Sequence, residues 1–244
     1  MKKLTVLSLT FFILTVLLSQ KGMAAPPMAL SDAEVVPHKH WEVWFNLNYR
    51  DMENQKFYNV PTVEVIYGIL PRVEFSVEAT YIIEKSGGDR VDGIDSIATQ
   101  AKVLVLEEGK SYPQVALAIQ YDLPTDEKKE RFDWSGNLWV PSIAMQKHFG
   151  KALFITQLKY YIDDKWRYGV DVFYAVNERV TLLSEVYAED FVHSNDKDEL
   201  NFRLGFKYQF LEKSKIFFAA GRSLLTTRDN RPELEANSGI MFEF

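Results

Sequence analysis

Along most of this chain apolar and polar residues alternate with a period of two, and this pattern restricts the possible folds more than any other feature. In HWEVWFNLNYR, residues 40–50, one face carries Trp41, Val43, Phe45, Leu47 and Tyr49, and the other carries Glu42 and Arg50 among polar neighbours. The same alternation recurs in RVEFSVEATYI, residues 72–82, and in ELNFRLGFKYQF, residues 199–210. Because successive side chains of a strand point to opposite faces, each stretch predicts an amphipathic strand long enough to cross a bilayer.

Nine more strands are predicted around these three, which gives about twelve in all. They are placed at 57–68, 95–106, 112–122, 137–148, 151–161, 166–176, 179–189, 214–222 and 234–244. Short connections such as ILP, FG and NE alternate with longer ones such as EKSGGDRVDG, PTDEKKERFDWSGN and SLLTTRDNRPE, and the short DDK link is the exception. Even strand counts with alternating turns and loops are typical of bacterial outer-membrane barrels. We therefore predict an all-β fold, a single antiparallel transmembrane β-barrel over residues 38–244.

A soluble β-sandwich or a lipocalin-like barrel shows the same period, with its apolar faces turned inward. Three observations favour the membrane arrangement: the strands are long, the polar faces carry charges of both signs, and Tyr or Trp sits near strand ends. Aromatic residues at both interfaces form the girdles of membrane barrels. The sequence thus predicts apolar faces directed at outer-membrane lipid.

The N-terminus predicts export. Lys2 and Lys3 precede an apolar run over residues 4–18, and small residues follow at Gly22, Ala24 and Ala25. This order is typical of a cleaved signal peptide, assigned to residues 1–24. Residues 25–37 are expected to form a periplasmic N-terminal segment. Their proline content and lack of period favour disorder, and folding into the lumen as a plug is the alternative.

The chain ends on an aromatic residue in an alternating segment, with Ile240, Phe242 and Phe244 on one face. This ending resembles the C-terminal signature by which the barrel-assembly machinery recognises outer-membrane proteins. A lipid-facing girdle residue at Phe244 is the simpler interpretation, and both can hold together.

Two neighbouring stretches carry a more specific resemblance. They are VEVIYGILPRVEFSVEATYI, residues 63–82, and DGIDSIATQAKVLVLEEGKSYPQVALAIQYDLPT, residues 92–125. Their Tyr67-Gly68 strand end, the turn before Arg72, the Gly93–Asp95 element and the LPT at residues 123–125 resemble the outer-membrane family of the meta-pathway of phenol degradation. That resemblance implies a transporter-like barrel associated with aromatic compounds.

Other classes of function find little support. A net charge of -6 offers no basic field for nucleic acid, and zero cysteines exclude thiol catalysis and thiolate metal sites. The four histidines lack a nucleophile and an orienting partner nearby, so no catalytic residue, metal ligand or cofactor is predicted. A surface lipid hydrolase is therefore the weakest alternative.

The polar strand faces predict the composition of the barrel interior. The candidate pore-lining residues are Glu42, Arg50, Glu64, Arg72, Glu74, Glu78, Lys102, Asp171, Glu185, Arg203 and Lys207. Such a set either lines a path for small solutes or forms a salt-bridged, closed interior. We predict an outer-membrane channel for small compounds, aromatic or hydrophobic ones included. A nonconducting structural or adhesion barrel that acts through its external loops is the alternative.

Overall fold

Twelve antiparallel strands follow one another around a closed sheet in the computed structural model, which describes residues 28–52, 55–124, 139–162, 165–192, 198–226 and 232–244. They are β1 (Trp41–Met52), β2 (Gln55–Leu70), β3 (Val73–Ser86), β4 (Asp89–Leu106), β5 (Gln114–Pro124), β6 (Trp139–Phe149), β7 (Ala152–Tyr161), β8 (Lys165–Ala175), β9 (Val180–Phe191), β10 (Glu199–Leu211), β11 (Ser214–Thr226) and β12 (Pro232–Glu243). Each predicted strand corresponds to one of these, so the all-β barrel is confirmed. No helix in the described ranges is long and apolar enough to cross a membrane.

The barrel closes where the last strand pairs with the first. β12 runs antiparallel to β1 in a register that matches Phe45 with Ile240 and Val43 with Phe242. Beyond the strand, the Phe244 N–H donates to the Trp41 carbonyl at 2.9 Å, and the Trp41 N–H donates back at 3.2 Å. Closure leaves no sheet edge exposed to lipid. The three residues of the predicted assembly signal thus lie at the seam of the barrel.

The outer face of the barrel is apolar, which excludes the soluble arrangement with inward apolar faces. Side chains such as Phe45, Leu47 and Leu204 are each more than 40% exposed although they belong to regular strands. Aromatic pairs stand near both rims: Trp41 stacks on Tyr67 at one end, and Tyr160 stacks on Trp166 at the other, each pair with ring centroids 4.2 Å apart. This arrangement matches the lipid band and girdles of a membrane barrel.

The connection after β3 differs from the prediction. A loop was expected over EKSGGDRVDG, but β3 continues to Ser86 and β4 begins at Asp89 instead of residue 95. Only Gly87 and Gly88 connect them, with φ values of 58° and 102°. Glycine adopts positive φ without steric cost, so this pair forms a tight hairpin turn and lets the strands continue in register. The predicted signal peptide, residues 125–137 of the loop PTDEKKERFDWSGN and residues 227–231 of SLLTTRDNRPE lie outside the described residues. The rest of SLLTTRDNRPE is not loop, because β11 ends at Thr226 and β12 begins at Pro232.

Candidate functional site

Residues 28–37, here called the plug, pass through the barrel lumen before β1 begins. Leu30, Ala33 and Val36 are at most 1% exposed. At its end the plug joins the wall, where the Lys39 N–H donates to the Gly68 carbonyl at 2.8 Å. The expectation of a disordered periplasmic segment is wrong for these residues, because the inner wall supplies the partners that their backbone and side chains need.

The plug backbone donates hydrogen bonds to wall side chains instead of pairing with a strand. The N–H groups of Ala29 and Leu30 both donate to Glu185 Oε1, at 2.7 and 3.1 Å. Further along, the N–H of Val36 donates to Glu74 Oε2 at 2.6 Å. Glutamine side chains complete the set, with Ser31 bound to Gln157 and Ala33 bound to Gln146. Hydrogen bonds to charged acceptors are the stronger kind, so the carboxylates hold the two ends of the plug.

Apolar side chains of the plug fit three apolar patches on an otherwise polar inner wall. Met28 packs against Ile155, Phe173 and Leu183, and Ala33 packs against Ala116 and Ala144. Val36 completes the set by packing with Trp44, Ile66, Phe217 and Met241. Burial of these groups favours the seated plug by the hydrophobic effect. The apolar residues on the polar faces were the available sequence signal for a plug.

The charged side chains of the plug sit in a buried acidic environment. Burial raises the pKa of Asp32 to about 8, and the Lys102 ammonium opposes this shift from 3.5 Å away. Asp32 therefore keeps its proton at neutral pH, and Lys102 pairs mainly with Glu74, at 2.9 Å. Burial also raises the pKa of Glu34, against a hydrogen bond from the Gln146 amide. Burial in the seated plug thus favours the protonated forms of Asp32 and Glu34.

At Gly68 the plug backbone passes close to the wall. A Cβ at this position would collide with the backbone of Val36 and Pro37. Only glycine fits at this position without displacing either the plug or the wall strand.

Ten of the eleven candidate pore-lining residues lie on the inner wall, and they fall into three groups. Glu74, Lys102 and Glu185 contact the plug. Glu64 and Glu78 line a cavity described below, which Glu74 and Lys102 also line. The remaining five are buried or paired on the wall, namely Glu42, Arg50, Asp171, Arg203 and Lys207.

Arg72 was expected to line the interior, and the structure corrects this prediction. It lies in the turn before β3, and its guanidinium pairs with Glu107 at 2.6 Å. Both side chains are more than half exposed at the periplasmic rim. Strand alternation does not extend into a turn, so the face assigned to Arg72 by counting was wrong.

An ion-pair network covers one side of the outer half of the wall. Glu235 accepts from Arg203 at 2.5 Å and from Arg50 at 2.6 Å, and the Tyr187 hydroxyl donates to it at 3.0 Å. A second group joins Glu189 to Arg167 at 2.5 Å and to Lys165 at 2.9 Å. Sequence analysis missed Glu235, Tyr187 and Glu189, although Tyr187 and Glu189 follow Glu185 at intervals of two and so share its face.

A cavity of about 320 Å³, here called the outer cavity, lies in the lumen beyond the plug. Residues 28–31 of the plug contribute to its lining. Its walls include Glu64, Glu78, Lys159, Tyr161 and Arg167. Tyr161 and Arg167 flank the β7–β8 connection, which lies at the barrel end opposite the C-terminus and is therefore external. The plug thus forms part of the wall of a polar cavity that extends into the outer half of the barrel.

Comparison with known proteins places the fold. No family profile matches the chain, and no curated protein matches it in sequence. Among solved structures it is similar to the COG4313 outer membrane channel from Pseudomonas putida F1, with a TM-score of 0.60 and 16% identity over 89% of this chain and 100% of that one. The NanC porin follows with a TM-score of 0.59 and 11% identity over 82% of this chain and 98% of that one. For the KdgM porin the TM-score is 0.56, with 8% identity over 82% and 99%.

At these identities the likeness concerns the fold. Together with the apolar outer face and aromatic rims, it establishes this protein as an outer-membrane β-barrel with the architecture of channels and porins.

Proposed function

We propose that the protein is an outer-membrane channel that passes small compounds and that the plug closes it in the state described. The observation that carries this proposal is the lumen itself, in which a polar cavity of about 320 Å³ ends at a segment held by hydrogen bonds and apolar contacts. Such contacts can break and re-form, whereas a barrel filled by its own wall side chains has no comparable way to open.

The compounds are proposed to include aromatic or hydrophobic ones. Support comes from the resemblance of residues 63–82 and 92–125 to the family of the meta-pathway of phenol degradation. The polar walls of the outer cavity favour those that also carry a polar or charged group. During biogenesis, lipid and the barrel-assembly machinery are the proposed partners, with Ile240, Phe242 and Phe244 as the recognised strand.

A nonconducting structural or adhesion barrel is the second candidate, and the buried plug is the observation that favours it. In that case the buried hydrogen bonds of the plug serve stability alone. The two functions differ in whether the lumen ever becomes continuous.

Single-channel recording in a planar bilayer tests the choice. Protein purified from membranes is compared with the Glu74→Gln/Glu78→Gln double variant, which changes two carboxyl groups of the outer cavity, one of which also binds the plug. We expect discrete current steps whose size or frequency changes in the variant. Silence from both proteins, with folding verified by heat-modifiable gel mobility, would favour the nonconducting barrel.

A further inference from the structure

We propose that the outer cavity binds a small zwitterion, with its carboxylate at Lys159 and its ammonium at Glu78. This inference rests on the proposed channel function and names the class of solute that the lumen recognises. The charges come from different parts of the wall. Glu64 and Glu78 stand opposite each other in the β2–β3 register, whereas Lys159 and Arg167 belong to β7 and β8.

The strand order places these two groups across the lumen from each other. In the closed barrel of twelve strands, β2 and β8 are six positions apart in either direction, and β3 and β7, which carry Glu78 and Lys159, are four positions apart one way and eight the other. The acidic pair and the basic pair therefore face each other, and all four side chains line the same cavity. A solute with charges of both signs has a partner for each group, whereas a singly charged solute has a partner for only one.

Lys159 and Glu78 are two charged residues of the cavity lining that form no close ion pair with the described part of the chain. Lys159 is 8% exposed, and its side chain makes no ion pair or hydrogen bond with the described part of the chain. Glu78 likewise has no such partner within the described ranges. By contrast, Arg167 is already paired with Glu189 at 2.5 Å. Burial of an unpaired charge is costly, so a ligand that neutralises Lys159 gains the interaction that the protein lacks.

The rest of the lining suits a ligand with a polar backbone and a modest apolar group. Gln100 and Gln120 contribute amides, which both donate and accept hydrogen bonds. Trp44 and Phe217, which also pack against Val36 of the plug, contribute aromatic rings to the same lining and lie 5.7 Å apart between ring centroids. A volume of about 320 Å³ holds a molecule of amino-acid size with some water. An aromatic amino acid therefore has the charged, polar and apolar groups that the cavity lining favours, and it belongs to the aromatic class of compounds proposed above.

Isothermal titration calorimetry on the detergent-solubilised full barrel at neutral pH tests the assignment with four phenyl compounds. L-phenylalanine carries both charges, 2-phenylethylamine only the positive one, 3-phenylpropanoate only the negative one, and 2-phenylethanol neither. We expect L-phenylalanine to bind at least about tenfold more tightly than each of the others, a difference of about 1.4 kcal/mol. Equal binding of 2-phenylethanol would overturn the proposal.

Variants locate the two charges. Lys159→Gln should abolish the advantage of L-phenylalanine over 2-phenylethylamine, and Glu78→Gln should abolish its advantage over 3-phenylpropanoate. The matched control is Lys207→Gln, which alters a lumenal lysine that is 2% exposed and does not line the outer cavity. Its affinities should equal those of the unmodified protein, and a loss equal to that of Lys159→Gln would refute the assignment.

Bilayer recording separates this inference from the channel function. Current steps without selective binding of L-phenylalanine would reject the zwitterion site and leave the channel intact. Selective binding that is lost in Lys159→Gln, in a barrel that never conducts, would uphold the site and reject the channel.

Discussion

In the periplasmic half of the lumen, Glu74 and Glu185 accept hydrogen bonds from the plug backbone, and apolar wall residues pack against Met28 and Val36. In the outer half, by contrast, the wall pairs most of its charges with itself and leaves Glu78 and Lys159 beside an open cavity. The two halves therefore satisfy their polar groups by different means. One half relies on the plug for these contacts, whereas the other relies mainly on pairs within the wall.

Replacement of the plug by a Gly/Ser linker of equal length should have the largest effect. It removes the apolar groups and keeps the chain length, so the lumen should become continuous. We expect a several-fold rise in single-channel conductance with the barrel still heat-modifiable. The control is Ser31→Ala, because Ser31 binds Gln157 through its backbone N–H and not through its hydroxyl. An unchanged conductance in the linker variant would show that other residues close the lumen.

Gly68→Val should open the lumen to a smaller extent. The added side chain collides with the backbone of Val36 and Pro37 and should lift one end of the plug while Glu185 still holds the other. More frequent openings are expected in bilayer recordings. The same substitution in the linker variant should change the opening frequency little, since the plug residues that it displaces are absent there. Equal effects in both backgrounds would mean that Gly68→Val acts on the wall.

The pH dependence of conductance tests the buried carboxyl of the plug. The pKa of Asp32 rises from 3.8 to about 8 on burial, so the seated plug holds a proton that a released plug gives up. Seating is therefore strongest below pH 3.8 and weakens as the pH rises towards about 8. Openings should become more frequent across this range, and Asp32→Asn should reduce the increase. A channel that instead closes as the pH rises would contradict this assignment.

The sequence was sufficient to predict the barrel, because strand alternation depends only on residues that are neighbours in the sequence. Alternation around Trp41, Phe45 and Leu204 follows directly from the strand geometry and the lipid outside. The plug was not predictable in the same way. Ala29 and Glu185 are 156 residues apart, and residues 28–37 have no period that indicates their partners. Inward-facing Trp44 and Phe217 were the clue, since apolar residues on a polar face require something apolar to cover them.

Assigning every second residue to the same face predicts side-chain orientation within strands, but it fails outside them. It would have added Lys159, which follows Ile155 and Gln157 at intervals of two along β7, had it been applied to that strand. It misplaced Arg72, because a turn redirects the side chain to the periplasmic rim. The two basic residues differ because Lys159 lies in a strand, where alternation fixes the face of each side chain, whereas Arg72 lies in a turn.

Arg72→Gln should therefore have the smallest effect. Its ion pair with Glu107 is more than half exposed on both sides, and such pairs contribute about 0–1 kcal/mol. Conductance and ligand affinity should not change, and the midpoint of urea unfolding should move only slightly.

Arg203→Gln is the matched comparison, because it makes the same chemical change at a residue that is 7% exposed and bound to Glu235. Loss of one partner from such a buried pair costs about 3–5 kcal/mol, so this variant should unfold at clearly lower urea. If Arg72→Gln shifted the midpoint as far as Arg203→Gln, the rim pair would be a structural element of the barrel and not a solvated contact.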